Sequence, residues 1–179
     1  IMDYGEEALR NTLITLDSIG IKYCGAGLNI DQAKQPALLT VNGTTVAFIG
    51  CSMTFPIEFW ATSDTPGTFY PSEKDLIQTI SLTRQLADFT VVSFHWGQEL
   101  RAFPKEYQKY FAHLAIDAGA DLILGHHPHV LQGLEIYKNK LIIYSLGNFA
   151  FGSYSKNAKE SIILKAHLTK NGLLYARVI

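Results

Sequence analysis

Two cysteines, Cys24 and Cys51, among 179 residues are too few for a disulfide-built scaffold. Each closes an apolar segment, and both are read as buried free thiols. Long apolar runs are missing as well: nothing approaches the ~18 consecutive apolar residues of a membrane span. The opening IMDYGEEALRN lacks a basic segment followed by an apolar one, so the residues present carry no secretory address. Excess charge is the third absence. A formal net charge of -1, with no run of lysine or arginine, excludes an electrostatic interest in nucleic acid or anionic lipid. Small molecules and polymers remain as substrates. With 47% hydrophobic residues against 17% charged, the chain has the means to bury a core, and its length is that of one domain, residues 1–179.

The pattern alternates between helical and extended periods. A helix fits Tyr4 to Ile19, with Leu9, Leu13, Leu16 and Ile19 on one face, Asp3 and Glu6 at capping-box spacing and Gly20 as the stop. Ile21 to Gly25 reads as a short strand, and Pro36–Val41 with Thr45–Gly50 as a hairpin over Asn42-Gly43. Cys51 to Pro71 has no period and reads as a long loop of the kind that borders a site. Ser72 opens a second helix whose buried face is Leu76, Ile80, Leu82 and Leu86. Phe89–Phe94 and Leu122–Leu124 read as central strands on either side of a helix over Lys105–Ala118 that Gly119 ends. Two further pairs follow: Leu131–Tyr137 with Leu141–Ser145 across Lys138-Asn139-Lys140, and Ser161–Leu168 with Leu173–Val178 across Lys170-Asn171-Gly172. The mixture predicts a layered α/β domain, its sheet parallel first and antiparallel later.

In open α/β sheets ligands gather beyond the carboxyl ends of the strands. His95 follows one predicted strand, and His126, His127 and His129 follow its neighbour, so two strand ends deliver imidazoles to one place. If that segment is extended, His127 and His129 share a face and His126 points away. His127 and His129 are then a chelating pair for a borderline cation such as zinc, manganese or iron, while His126 is a hydrogen-bond partner of a ligand or a substrate contact. Glu99, in Phe94-His95-Trp96-Gly97-Gln98-Glu99, offers a general acid/base, a ligand, the orienting partner of an imidazole, or an ordinary surface carboxylate. Asn148, in Ser145-Leu146-Gly147-Asn148-Phe149, has an amide that can ligate a metal, bond a substrate oxygen or satisfy a turn, and Gly147 permits close backbone approach. His113 and His167 lie inside predicted elements and are read as structural.

The blocks FHWGQE, GADLILGHHPHVLQGLEIY and KLIIYSLGNFAFG, with MDYGEEAL, IKYCGAG and the first hairpin in the same order, resemble the bacterial CapA family of capsule and poly-γ-glutamate synthesis proteins, within the calcineurin-like metallophosphoesterases. The resemblance implies a four-layer α/β/β/α sandwich with mixed sheets and a two-metal site on one edge, with His95, His127 and His129 as ligands from its second half. Here His126 separates Gly125 from His127-Pro128-His129, an insertion into the superfamily's Gly-His-x-His. The family's Asn-Asn-His block and first strands would precede Ile1, so the resemblance implies a domain without its first strands, holding fewer than two ions and showing little activity by itself. Sheet edges left open by that loss invite a homodimer or domain swap. In an intact version a metal-activated water attacks a phosphoester, with Glu99 and Asn148 handling substrate or proton. Two rival expectations stand beside it: a non-catalytic polymer-binding or scaffold component of an envelope assembly machine, and a hydrolase or transferase acting on γ-glutamyl amides. In each case the implied setting is the cell envelope, with an anionic polymer or phosphoester substrate and other envelope biosynthesis proteins as partners.

Overall fold

The computed structural model describes residues 2–150, 152, 158–170 and 172–179. In chain order the elements are α1 (Gly5–Ser18), β1 (Ala26–Gly27), α2 (Ile30–Ala33), β2 (Ala37–Val41), β3 (Thr44–Ser52), a 3-10 turn at Ile57–Phe59, β4 (Gly67–Thr68), α3 (Glu73–Thr83), β5 (Phe89–His95), α4 (Glu106–Ala118), β6 (Leu122–His126), β7 (Leu134–Tyr137), β8 (Lys140–Ile143), β9 (Leu164–Thr169) and β10 (Gly172–Val178). Six strands form the main sheet in the order β2-β3-β5-β6-β8-β7. β3, β5, β6 and β8 run parallel, and β2 and β7 join antiparallel at the two edges.

Side-chain alternation along the parallel strands decides the layering. Ile49, Cys51, Val92, Phe94, Ile123 and Ile142 face one way and pack on Leu76 and Ile80 of α3 and Ala112, Ala115 and Ile116 of α4. Phe89, Val91 and Leu122 face the other way, with Phe48, Leu124 and Leu141, and pack on Leu164, Leu168 and Leu173 of the antiparallel β9-β10 pair. Helices, mixed sheet and a second sheet therefore stack in the order expected of a metallophosphoesterase-like sandwich. Helix α1 buries Leu9 and Leu13 against Met2 and Ala26 in a separate small cluster. No helix among the described residues is long and apolar enough to cross a membrane.

Several local expectations are corrected. Leu82 and Leu86 are 55% and 58% exposed. The buried face of α3 is instead Leu76, Thr79, Ile80 and Thr83, at the three- and four-residue steps of one helix stripe, and Leu86 lies past the C-cap Arg84. On α1, Ile19 is exposed, and the N-cap is Tyr4 with no side-chain cap bond, so the capping box at Asp3 is not formed. Ile21 to Gly25 makes no ladder; pairing begins at Ala26–Gly27 against β4. The segment from Cys51 to Pro71 is not one loop, because β3 extends to Ser52 and the 3-10 turn and β4 interrupt the rest. Helix α2 went unpredicted, although Asn29 and Gln32 stand at cap spacing and the Asn29 side chain accepts from Gln32 N at 3.0 Å.

Turn chemistry accounts for the hairpins. Asn42 and Gly43 take φ values of 51° and 74°, and Lys138 and Asn139 take 48° and 61°, the left-handed pairs that close two-residue hairpins. Lys140 is thus already in β8, paired with Tyr137. β9 begins at Leu164, later than Ser161, and its turn residue Asn171 lies outside the described residues.

Candidate metal centre

His95 is the last residue of β5 and His126 the last of β6, and the two are register partners in the parallel ladder. Beyond them the chain opens into two loops, one carrying Glu99 toward α4 and one carrying His127 and His129 toward β7. The extended conformation expected after β6 is not adopted. His127 has φ 96° and His129 φ 60°, left-handed values that a residue with a Cβ rarely takes. Leu100, across the gap, has φ 58°, and its N–H donates to Pro128 O at 2.8 Å, tying the two loops back to back. The cost of such backbone collects at functional sites. What brings the two imidazoles together is this kinked, cross-tied loop rather than strand alternation.

The outcome is a cluster of three donors. One ligand atom each from Glu99, His127 and His129 all lie within 4.8 Å of one another. A cation bonded at about 2.1 Å to each would need donors about 3.4 Å apart in tetrahedral geometry, so binding would have to draw the three donors closer together. Two imidazoles and a carboxylate suit zinc, manganese or iron. His95 stands beside the cluster, its ring centroid 4.6 Å from that of His127, which itself lies 6.0 Å from His129.

Asn148 is placed by Gly147, whose φ of 74° and bridge to Ser161 turn the chain toward the cluster. Its Nδ2 donates to Ala158 O at 3.3 Å, so Oδ1 faces His129 and accepts from Nδ1–H at 2.7 Å. That bond fixes the His129 tautomer with its lone pair on Nε2, the arrangement by which a metal-binding imidazole is commonly oriented. The amide predicted as a ligand, substrate contact or turn former thus touches the imidazole directly. His126 borders the same cleft and also the apolar groove beneath β9. His113 and His167 lie elsewhere: His113 Nε2 bonds Glu135 Oε1 at 2.7 Å and its ring stacks on Tyr137, and His167 stacks on Tyr175.

Electrostatics favour neutral imidazole at His95, His126 and His127. Although His95 is open on its cleft side, the protein packed around it, followed by His127 and the other two histidines, lowers its pKa to about 4. Burial lowers the His126 pKa; it also lowers that of His127, where Glu99 opposes and His129 reinforces the shift. At His95, His126 and His127 protons therefore compete with a cation later than they would at ordinary imidazole, whose pKa is about 6.5. Titration of the His127 ring protons, followed by NMR in the metal-free protein, is expected to give a midpoint below about 6.5. A midpoint at or above about 6.5 would contradict the assignment. The metal-free protein follows the same sign. Groups whose folded pKa is depressed below 6.5 bind protons preferentially when unfolded, so their stability contribution is complete above 6.5 and is lost as pH falls toward about 4.

The cluster lies in an open cleft of about 590 Å³ that Ser52, Thr54 and Phe55 also line. A family model described as bacterial capsule synthesis protein PGA_cap matches residues 1–153. The chain belongs to this family. The PGA biosynthesis protein CapA of Bacillus subtilis is 38% identical over 172 residues, covering 96% of this chain and 45% of its own length. The capsule biosynthesis protein CapA of Bacillus anthracis is 36% identical over 181 residues, 99% of this chain and 44% of its own. The PGA_cap chain thus spans somewhat under half the length of these relatives. Among solved structures, sulfate thiohydrolase SoxB of Thermus thermophilus, in complex with glycerol, aligns with a TM-score of 0.54 at 20% identity, over 80% of this chain and 24% of its own. This likeness supports the metallophosphoesterase-like fold.

Sequence reasoning missed the residues that hold the two loops. Gln108 and Gln132 are buried and hydrogen-bonded to each other at 3.1 Å, and Tyr107 OH accepts from Gly97 N at 2.6 Å. The one signal available was Gln132 itself, three residues past His129 in GHHPHVLQG.

Proposed function

We propose that the PGA_cap chain contributes the second half of a divalent-metal site in a capsule or poly-γ-glutamate biosynthesis protein of the cell envelope, and that the complete site hydrolyses a phosphoester. The convergence of Glu99, His127 and His129 within 4.8 Å, at the carboxyl ends of adjacent parallel strands, carries this reading. Family membership supplies the biological setting.

A bound cation here would neutralise anionic oxygen and make water nucleophilic near neutral pH. The chain's own groups divide the remaining work. His127, its pKa lowered by burial, presents neutral nitrogen, and Asn148 orients His129 by accepting from Nδ1–H so that Nε2 faces away from that bond. Glu99 is exposed and offers a carboxylate oxygen that can ligate or take a proton, and His95 extends the donor set on the sheet side. No lysine or arginine stands among the described residues lining the cleft.

The test uses a protein of the relatives' full length, offered an aryl phosphodiester and poly-γ-glutamate with manganese, zinc or iron, and again with chelator. Metal-dependent release of the aryl alcohol, lost with His127→Ala, is the expected result. Cleavage of the γ-glutamyl amide alone would transfer the site to amide chemistry. Polymer binding that is indifferent to metal, without turnover, would leave a scaffold.

A further inference from the structure

Three amide hydrogen bonds run in one direction through Gln108 and Gln132, and two of them cross between the α4 side and the loop that follows His129. Lys105 N–H donates to Gln108 Oε1 at 2.9 Å. Gln108 Nε2 donates to Gln132 Oε1 at 3.1 Å, and Gln132 Nε2 donates to Arg101 O at 2.8 Å. Each side-chain amide gives with its nitrogen and takes with its oxygen, so flipping either would oppose like groups at two contacts. Gln108 is 0% exposed and Gln132 6%, and water cannot easily replace a lost partner there. The ladder starts and ends on the loop that holds Glu99: Arg101 is two residues beyond it, and Lys105 is the N-cap of α4. Its middle rung comes from the other loop, three residues after His129.

The loops touch again at Leu100 N to Pro128 O, 2.8 Å, and the Glu99 loop is pinned at its start where Gly97 N donates to Tyr107 OH at 2.6 Å. Gly97 has φ 92°, and a Cβ there would lie 3.1 Å from both the Nε2 and the Oε1 of Gln108, so loop and ladder are closely fitted. An exposed glutamate at the tip of such a loop would otherwise sample many positions, each at an entropic cost when it is drawn to a cation.

We propose that Gln108 and Gln132 are positioning residues that hold the Glu99 loop against the loop of His127 and His129, keeping the carboxylate beside the two imidazoles. The inference rests on the reading of those three residues as a metal site. Partners lying behind metal ligands typically change affinity about 10- to 100-fold when removed.

The experiment is a double-mutant cycle read by cobalt(II) binding, followed through the visible absorption band of the bound ion. Gln132→Met breaks the two lower rungs while keeping length, and Gln108→Met breaks the upper ones as a second entry to the same ladder. Each is made alone and together with Glu99→Ala, and thermal melts identify the variants that fold. Cobalt affinity is expected to fall about 10-fold for Gln132→Met in the wild-type background and less than about 2-fold when Glu99 is already alanine, because the ladder acts through that carboxylate. Equal losses in both backgrounds, or no loss in the wild-type background, would overturn the assignment. If Gln132→Met fails to fold, the Gln108→Met arm decides by the same criterion. The cycle is run in a protein of the relatives' full length, and absence of cobalt binding by its wild type would defeat the metal reading itself, and this inference with it. Wild-type binding with additive losses defeats only the inference.

Discussion

Replacing His127 and His129 together by alanine is expected to abolish divalent-cation binding by this chain, with affinity falling well beyond the ~100-fold that loss of a supporting partner can cost. The two imidazoles supply two of the three donors gathered within 4.8 Å, and Glu99 alone is an exposed carboxylate of no particular affinity. Single substitutions separate the roles. His129→Ala also releases Asn148 from its 2.7 Å bond, whereas His127→Ala leaves that bond intact. Elemental analysis after dialysis against limiting cobalt or zinc, together with calorimetric titration, measures the effect. The alanine chain should melt at or near the wild-type temperature without metal, since both side chains are only partly buried. Retention of stoichiometric metal by the double variant would move the site elsewhere.

Trp96→Ala is expected to cost about 3–5 kcal/mol of folding stability, or roughly 6–20 °C in melting temperature for a chain of this size. Trp96 is 0% exposed, lies flat on Phe94 with ring centroids 4.3 Å apart, and donates from Nε1 to Tyr144 O at 3.0 Å. Its backbone N–H donates to His126 O at 3.0 Å, directly beside the cluster. Gly125 fits the same space: a Cβ there would overlap Tyr144 O and come within 2.7 Å of Trp96 Nε1. One indole therefore joins the ends of β5, β6 and β8, and its removal leaves both a cavity and an orphaned carbonyl. Trp96→Phe keeps a stacked ring, leaves a smaller cavity and also loses the hydrogen bond, so its cost is expected to lie between the about 1–3 kcal/mol of an orphaned carbonyl and the cost of Trp96→Ala. Thermal denaturation followed by circular dichroism reads both variants. A Trp96→Ala protein melting within about 2 °C of wild type would refute this account of the core.

The central layers were legible because the parallel strands are short segments rich in apolar and β-branched residues and each helix carries a stripe of its own period. Phe89 to Phe94 and Leu122 to Leu124 needed no partner to be recognised, and their ends delivered His95 and His126 together. The conformation of the HHPH segment was not legible. The left-handed φ of His127 and His129 accompanies the Leu100–Pro128 bond, formed with a loop far off in sequence, and no local propensity encodes it. Gln108 was hidden for a similar reason: a glutamine in a helix reads as solvent-facing until its buried partner is known. Leu82 and Leu86 misled in the opposite direction, since hydrophobicity alone placed them inward, whereas helix phase and the end of α3 leave them outside.

The left-handed backbone at His127 and His129 also sets the terms on which this protein can be engineered. A selection for heat resistance run without metal would favour glycine or asparagine at both positions, since either suits a positive φ better than histidine does. Every such gain would remove a donor from the cluster. Hardening the protein while keeping its chemistry therefore has to begin elsewhere, for example on the exposed faces of α1 and α3, where sequence is not tied to a loop that only its function justifies.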